Sequence, residues 1–331
     1  MSTTSLVEIE SLGVQYHAAG PRVGRGRTGP WAVREVSLSI GPGETLGLVG
    51  ESGSGKSTIG QCILGNVRPS EGTIRVAGFD VGSFHGRVPL EYRWVAQVVW
   101  QDPYRSLTPS MNIGNQIGEP LARRRKRTRS EVASEVARLL EVVGLEAAMA
   151  NERPSRFSGG QRQRIAVARA LAAEPQLIVL DEPVSALDVI SQAQLIEMLE
   201  RVQRELGVSY LLISHDLAVV RHMAHRTAVL CRGRLVESGT SNAVAAMPAH
   251  PYTRELQDSV LDLANSRRGS TSLGRPVPVD RQSGHEHTLC PYLARCSEAV
   301  DACERDLPRL VPHAETTHLT ACHHPLRSPS S

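Results

Sequence analysis

A glycine-rich loop in the first part of this 331-residue chain carries residue types that bind phosphate groups. Glycines let backbone N–H groups curl around phosphate oxygens, and the start of a helix adds the positive end of its dipole. We expect Lys56 to neutralise the charge of β- and γ-phosphates and the Ser57 hydroxyl to ligate Mg²⁺. The loop comprises Gly50, Glu51, Ser52, Gly53, Ser54, Gly55, Lys56, Ser57 and Thr58. Its spacing predicts a nucleotide-binding site.

Two acidic residues, Asp181 and Glu182, directly follow the apolar run Leu177–Leu180. An uninterrupted run of this kind is typical of a strand buried on both faces of a parallel sheet. Such sheets bind ligands at the carboxyl ends of their strands. We therefore expect Asp181 to hold Mg²⁺ through water and Glu182 to polarise the attacking water as a general base. Alone, two acids at a strand end more often form a surface turn, but the glycine loop favours the catalytic interpretation.

Further motifs stand in a fixed order around these two. They are Val99-Trp100-Gln101-Asp102-Pro103, Ser158-Gly159-Gly160-Gln161-Arg162-Gln163-Arg164, Ser185-Ala186-Leu187-Asp188 and Ile213-Ser214-His215-Asp216. In that order they resemble the Q-loop, the signature motif, the D-loop and the switch histidine of ATP-binding cassette (ABC) ATPases. Because the match spans residues 50 to 216, the chain is identified as a member of that family.

The resemblance implies a role for each of these residues. In the family, two cassettes dimerise head to tail, so the signature motif and D-loop of one chain contact ATP held by the other. The residues implied in this trans contact are Ser158, Gly159, Gly160, Gln161 and Asp188. The catalytic residues implied are Glu182, His215 and Gln101, and the Mg²⁺ ligands are Ser57, Gln101 and Asp181. Tyr16 occupies the place of the aromatic that stacks on adenine, with a core tyrosine on the first strand as the alternative.

The elements that must position these residues follow from the periodicity of the chain. Alternating apolar and polar residues predict half-buried antiparallel strands at 5–16 and 33–40, and a turn-rich basic insertion separates them at 20–30. Buried strands are predicted at 45–49, 95–100, 177–180 and 210–213, a helix from about Lys56, and a closing hairpin at 227–238. The resemblance implies an α/β fold with a RecA-like parallel sheet core, an antiparallel β subdomain and a helical signature subdomain at about 104–172.

Composition divides the chain into a cassette at 1–262, a linker rich in Ser, Arg, Gly and Pro at 263–288, and a Cys/His-rich region at 289–331. With 40% apolar and 21% charged residues the chain has a soluble composition. Its longest apolar runs fall well short of the roughly 20 residues that span a membrane. The N-terminus lacks the features of a secretory signal, so we expect a cytoplasmic location.

Four of the six cysteines lie in the C-terminal region: Cys290, Cys296, Cys303 and Cys322. In a cytoplasmic protein such clustering favours metal or redox chemistry over disulfides. Their spacing differs from the paired Cys-x2-Cys steps of most zinc ribbons, and four thiolates can ligate a [4Fe–4S] cluster. Zinc, or no metal at all, stays open as an alternative.

Nearly the whole chain resembles the ATPase subunits of dipeptide and oligopeptide importers, whose relatives handle nickel complexes and glutathione. This resemblance is carried by the sequence of the glycine loop, the segments Gln101–Pro109 and His250–Thr253, and the tail cysteines. It implies ATP and Mg²⁺ as cofactors and a place at the cytoplasmic face of the membrane. The implied partners are a second, different ABC subunit, two permease subunits and an extracytoplasmic solute-binding protein.

Two other function classes remain open at this stage. One is a soluble ABC factor acting on ribosomes or DNA, although such factors usually have two cassettes or a coiled coil. The other is a metal- or redox-sensing regulator whose tail gates the ATPase. The basic run Arg123–Arg129 fits a solvated helix face, or contact with anionic lipid or acidic loops of membrane subunits. Nucleic acid is not expected as a partner.

Overall fold

The computed structural model describes residues 5–17, 28–102, 106–124, 127–266, 289–313 and 317–326. Two sheets with helices packed around them confirm the predicted α/β class. The strands are β1 (Val7–His17), β2 (Thr28–Ile40), β3 (Thr45–Val49), β4 (Glu71–Val76), β5 (Phe79–Asp80), β6 (Ala96–Val99), β7 (Leu177–Asp181), β8 (Ser209–Ser214), β9 (Arg226–Cys231), β10 (Arg234–Thr240), β11 (Val311–Pro312) and β12 (Leu319–Thr320).

The α-helices are α1 (Lys56–Ile63), α2 (Leu90–Val95), α3 (Ile113–Arg124), α4 (Arg129–Val142), α5 (Gly159–Leu171), α6 (Val189–Leu206), α7 (Leu217–Met223), α8 (Ser241–Ala246) and α9 (Pro251–Ser266). Short 3-10 helices lie at Val81–Ser83, Ala147–Asn151, Pro154–Arg156, Leu293–Arg295 and Asp301–Glu304. Most of the predicted insertion at 20–30 and most of the predicted linker at 263–288 fall outside the described residues.

The larger sheet has eight strands in the order β11-β12-β10-β9-β3-β8-β7-β6. Strands β9, β3, β8, β7 and β6 are parallel, and β3 and β8 are buried along their whole length. Burial on both faces explains why these segments are continuous apolar runs without alternation. In register, Val49 lies beside Ser214, and Asp181 lies beside Ile213. The carboxyl ends of β3, β7 and β8, with the motifs that follow them, therefore meet at one edge.

The smaller sheet is antiparallel, in the order β2-β1-β4-β5, and packs one face against the larger sheet through a shared apolar core. Apolar and polar residues alternate along its strands because only that face is buried. Strand β2 begins earlier than predicted, since Trp31 and Thr28 pair with Gln15 and His17 of β1. Register shifts along β1 accommodate this longer pairing.

Helices α3, α4 and α5 form the helical region and pack on one another around Ile117, Leu139, Leu140 and Ile165, all of which are essentially fully buried. Helix α4 begins with a capping box in which the Thr128 hydroxyl accepts from the backbone N–H of Glu131. Such caps satisfy N–H groups that the first helical turn leaves unpaired. The apolar face predicted around Leu139 and Leu140 is therefore the face that packs.

The C-terminal extension, residues 289–313 and 317–326, is joined to the larger sheet. Strand β12 pairs with β10, and β11 pairs with β12. Under this edge the fully buried Glu237 carboxylate accepts from the backbone N–H groups of Ala249 and His250, both at 2.8 Å, and lies 2.6 Å from His318 Nε2. Helix α9 continues to Ser266, past the predicted cassette end at residue 262.

Within the ranges that the structure describes, no helix is long and apolar enough to cross a membrane.

Candidate functional site

The glycine loop connects β3 to α1 and can be formed only with glycine at particular positions. Gly55, which precedes the helix, has φ 103°, a conformation that L side chains rarely adopt. A Cβ atom on Gly55 would clash with the carbonyl oxygen of Ala32, and one on Gly50 would clash with that of Leu230. The close approach of neighbouring backbone thus explains both glycines. The loop ends at a helix N-terminus, which favours bound anions.

The Lys56 side chain is almost completely buried at 5% exposure. Its ammonium donates to the carbonyl oxygens of Gly50 at 2.7 Å and Glu51 at 2.8 Å. Burial lowers the pKa of Lys56, and the negative charges of Glu182, Asp181 and Glu51 act in the opposite direction. A desolvated ammonium held inside the loop interacts strongly with phosphate oxygens, because the surrounding dielectric is low.

Ser57 and Asp181 offer a pair of oxygens suited to Mg²⁺. The Ser57 hydroxyl donates to Asp181 Oδ1 at 3.2 Å, although 124 residues separate them in the chain. Burial raises the pKa of Asp181, the nearby Glu182 raises it further, and Ser57 and Lys56 lower it. A carboxylate with too little compensating positive charge, next to a hydroxyl, is a fitting ligand set for a hard cation such as Mg²⁺.

Glu182 and His215 lie together at the ends of β7 and β8. His215 Nδ1 is 3.3 Å from Glu182 Oε1. The backbone of Glu182 has φ 49°, and its N–H donates to the carbonyl of Ile213 at 2.9 Å. A left-handed conformation at a non-glycine residue costs of the order of 1 kcal/mol and is common where a side chain must be aimed at a reaction. No sequence pattern predicted this backbone strain at Glu182.

Gln101 is exposed and lies two residues after β6, whose carboxyl end adjoins that of β7. Pro103 to Arg105 of the same motif lie outside the described residues. The side-chain amide of Gln163, on helix α5, donates to the carbonyl of Trp100 at 3.1 Å. This contact joins the helix of the signature motif to the segment before Gln101. No sequence pattern predicted it, because Gln163 lies between Arg162 and Arg164 and resembles an exposed helix position.

The signature motif lies at the N-terminus of α5, where Ser158 and Gln161 form a reciprocal capping box. Its neighbour is the D-loop: a Cβ atom on Gly160 would lie 3.2 Å from Ser191, whose hydroxyl donates to Asp188 Oδ2 at 2.7 Å. Asp188 also caps α6 by accepting from the N–H of Ser191 at 3.0 Å. Ser158 and Asp188 thus belong to one local surface, with Ser158 exposed.

Tyr16 lies at the end of β1 with 48% of its surface exposed, and its hydroxyl is 3.3 Å from the hydroxyl of Thr58. The structure therefore brings Tyr16 beside the first turn of α1. An exposed ring there fits the predicted role against a base better than the alternative of a core tyrosine.

Two further residues touch the loop although the sequence did not connect them with it. The Tyr252 hydroxyl accepts from the Glu51 N–H at 2.8 Å, and Arg295 Nη1 lies 2.8 Å and 3.0 Å from the Glu51 carboxylate oxygens. Tyr252 belongs to the segment His250–Thr253, which the sequence connected only with the family resemblance. Arg295 lies 244 residues from Glu51, so no local pattern could have linked them.

The four tail cysteines do not form a metal-binding group. All are free thiols, and across the described residues no three His, Cys, Asp or Glu side chains are grouped closely enough to hold an ion. Burial raises the pKa of Cys290, of Cys296, and of Cys322 to about 11, and neighbouring thiols add to each rise. The geometry thus gives no support to the predicted cluster or to zinc.

The basic run near α3 is mostly paired with acids. Arg123 lies 2.9 Å from Glu119, and Arg124 and Arg127 lie 3.6 Å and 3.0 Å from Glu174. These pairs favour the solvated-face interpretation of the run. Residues 125 and 126 lie outside the described part of the chain.

Comparison with known proteins agrees with this geometry. A family model described as ABC transporter matches residues 33–185, and one described as oligopeptide/dipeptide transporter, C-terminal region, matches residues 236–303. The chain belongs to the ABC transporter family of ATP-hydrolysing proteins, in the branch that carries the oligopeptide/dipeptide C-terminal region. The recognition made from the motifs, the fold class and the ATPase assignment are thereby confirmed.

Relatives of similar length lie within that branch. A protein of Brucella abortus (strain 2308), named as a peptide import ATP-binding protein, is 45% identical over 87% of this chain and 85% of its own. A peptide ABC transporter ATP-binding protein of Sinorhizobium fredii (strain NBRC 101917 / NGR234) is 42% identical over 91% of this chain and 84% of its own.

Solved structures match the cassette part of the chain. A dimeric post-hydrolysis state of the ATP-binding cassette MJ0796, bound to ADP and Pi, has a TM-score of 0.61 at 26% identity, covering 71% of this chain and 98% of that one. The structure of cbiO1 from Clostridium perfringens has a TM-score of 0.64 at 24% identity, covering 80% and 95%, and supports the fold alone.

Proposed function

We propose that this chain hydrolyses ATP to power the import of peptides or related solutes, as the nucleotide-binding subunit of an ABC transporter at the cytoplasmic face of the membrane. The observation that carries this proposal is the coexistence of an ABC transporter cassette with the oligopeptide/dipeptide C-terminal region in one chain. Relatives with names that refer to peptide import cover most of its length.

In this proposal the loop holds the ATP phosphates through its backbone N–H groups and Lys56, and Tyr16 stacks on the adenine. Ser57, Asp181 and Gln101 would hold Mg²⁺, which supplies charge neutralisation at the phosphate oxygens. Glu182 accepts a proton from the attacking water, and His215, 3.3 Å away, orients that carboxylate and the γ-phosphate. Catalysis of this type depends mainly on positioning and electrostatics.

The exposed Ser158, with Gly159, Gly160, Gln161 and Asp188 beside it, supplies the second half of a site whose first half is the loop of another cassette. The capped start of α5 gives these residues an anion-binding helix terminus. Closure of such a dimer completes the site, and hydrolysis reopens it. The partners we propose are a second ABC subunit, two permease subunits and an extracytoplasmic solute-binding protein.

The test is transport by the assembled complex in proteoliposomes, supplied with ATP on the side of the ATPase and labelled di- and oligopeptides on the other. We expect ATP-dependent uptake that Glu182→Gln reduces at least about 100-fold, because the variant retains ATP binding but loses the general base. Glu197→Gln, on an exposed position of α6, is the matched control. Uptake that continues undiminished with Glu182→Gln would refute the assignment of Glu182, and co-purification with ribosomes or DNA would refute the transport role.

A [4Fe–4S] cluster on Cys290, Cys296, Cys303 and Cys322 stays a prediction in the absence of geometric support. Metal analysis and visible absorption of anaerobically purified protein test it, with alanine substituted for each cysteine as the control. Stoichiometric iron with broad absorption that these substitutions remove would establish the cluster, whereas lack of iron would eliminate it.

A further inference from the structure

The C-terminal extension contacts the phosphate-binding loop through one arginine. Arg295 Nη1 lies 2.8 Å and 3.0 Å from the carboxylate oxygens of Glu51, the second residue of the loop. Its Nη2 donates to Glu255 on helix α9. Arg295 thus joins three parts of the molecule: the extension, the last helix of the cassette and the loop.

The guanidinium of Arg295 is held in place by its surroundings. It lies over the Tyr292 ring, 5.6 Å from the ring centroid, and the Tyr292 hydroxyl donates to the same Glu255 that Arg295 contacts. A planar guanidinium fixed by a ring face and two carboxylates loses little further entropy in orienting Glu51. The contact is therefore preorganised on the extension side.

Glu51 is also held through its backbone. Its N–H donates to the Tyr252 hydroxyl at 2.8 Å, and its carbonyl accepts from Lys56 Nζ at 2.8 Å. Tyr252 packs against Tyr292, with their ring centroids 5.4 Å apart. Glu51, which pairs with Arg295 through its side chain, therefore also helps to hold the Lys56 ammonium through its backbone carbonyl.

The charges of Arg295 and Glu51 give their contact a consequence for nucleotide binding. Glu51 belongs to the phosphate-binding loop itself, and its backbone carbonyl lies 2.8 Å from the Lys56 ammonium that we expect to contact phosphates. Without a counter-charge, Glu51 would repel the anionic phosphates. The Arg295 and Glu51 side chains are 31% and 47% exposed, so solvent limits the effect to a few-fold.

We propose that Arg295 is a positioning residue for nucleotide binding, which neutralises and orients Glu51, so that the C-terminal extension completes the phosphate-binding loop. This inference rests on the proposed nucleotide site but does not depend on the solute transported. It assigns a task in ATP binding to a segment outside the motifs of the cassette.

The test measures the Kd of Mg·ADP for the full chain by calorimetry, and KM and kcat for ATP in the assembled complex. Arg295→Ala is expected to raise Kd and KM about 2–5-fold while kcat changes less than about 2-fold, since Arg295 does not touch the reacting atoms. Arg295→Lys keeps the charge, so its Kd and KM should lie between those of the unaltered chain and those of Arg295→Ala. Arg305→Ala, in the same extension but bonded to the carbonyl of Asp301, is the matched control.

A double-mutant cycle distinguishes this electrostatic role from a merely structural one. With Glu51→Gln in place, removing Arg295 should change Kd less than about 1.5-fold, because no carboxylate remains to be neutralised. The penalty of Arg295→Ala should also shrink between low and high salt. An equal penalty in both backgrounds, or no penalty in either, would overturn the proposal.

Failure of the inference can be told apart from failure of the proposed function. If the unaltered chain binds no Mg·ADP, the nucleotide site itself is wrong. If it binds normally and Arg295→Ala binds equally well, only the role of Arg295 is wrong. Should Arg295→Ala fail to fold in thermal denaturation, the cycle is run with Arg295→Gln, which retains more of the packing on Tyr292.

Discussion

At the scale of single residues, the two acids after β7 have different environments, and we propose different tasks for them. Asp181 is bonded to Ser57, and burial raises its pKa, so it lacks compensating positive charge. Glu182 lies beside His215 and has a left-handed backbone conformation. One acid is thereby suited to a cation and the other to the attacking water.

Asp181→Asn should stabilise the nucleotide-free chain and abolish Mg²⁺-dependent hydrolysis. Because burial raises the pKa of Asp181, its ionised form costs stability as the pH rises through that pKa, and the neutral amide avoids this cost. We expect a Tm increase of up to about 3 °C at pH 8, shrinking as the pH is lowered and the native Asp181 becomes protonated.

Thermal denaturation with and without Mg²⁺, across a pH series, measures this effect. Asp258→Asn, at an exposed position of α9, is the control and should show no pH-dependent gain. A Tm for Asp181→Asn below that of the unaltered chain at every pH would mean that Asp181 is already well compensated without a metal ion.

At the scale of elements, helix α5 couples three parts of the site. Its N-terminus presents Ser158, Gly160 approaches Ser191 beside the D-loop, and Gln163 on its buried side bonds to Trp100 before the Q-loop. A rigid helix with contacts at both its exposed end and its buried face moves these groups together. In the proposed dimer, we expect movement of the signature motif to be transmitted to the segment containing Gln101.

Ser158→Asp tests the trans role of the signature motif without damaging the helix. Aspartate is as good an N-cap as serine, so α5 should keep its stability. The added negative charge would face the γ-phosphate of the partner's ATP, and we expect hydrolysis by the assembled complex to fall at least about 100-fold. Nucleotide affinity of the isolated chain should stay within about 2-fold of the original.

ATPase assays on the complex and calorimetry on the single chain provide the two readouts. Ser134→Asp, on the exposed face of α4, serves as the control. A loss of nucleotide affinity in the single chain as large as the loss of hydrolysis in the complex would instead place Ser158 in the site of its own cassette.

At the scale of the whole molecule, the extension is part of the structure of the cassette. It adds two strands to the larger sheet, covers the buried Glu237 with His318, and reaches the glycine loop with Arg295. Covering the β10 edge also protects unpaired backbone groups from association with other strands. The extension therefore serves both the stability of the sheet and the nucleotide site.

His318→Leu should destabilise the chain by about 3 kcal/mol, lowering Tm by roughly 5 °C or more, because it removes one partner of a fully buried carboxylate. Glu237 would keep only its bonds from the N–H groups of Ala249 and His250. Denaturant unfolding measures the loss, with His324→Leu at an exposed position as the control. Equal stability of the two variants would show that His318 contributes only packing.

The sequence by itself determined the class of fold, the segments that form the motif-bearing strands and the identity of the phosphate loop. These features are local: a glycine conformation, a helix cap or a buried strand depends on neighbouring residues, so Gly55, Ser158 and Leu177–Leu180 could be interpreted from their own segments. Parallel pairing then required that the ends of β3, β7 and β8 meet.

Only the tertiary structure decided the contacts between remote segments. It joined Glu51 to Arg295, Trp100 to Gln163 and Glu237 to His318, and it extended the sheet with strands from the tail. Within the described residues it shows no group of three His, Cys, Asp or Glu side chains that could hold a metal ion, so the predicted cluster has no support from it. Such contacts depend on how distant segments pack against one another. The free energy of that packing is shared among many side chains, so no short sequence pattern can predict the contacts.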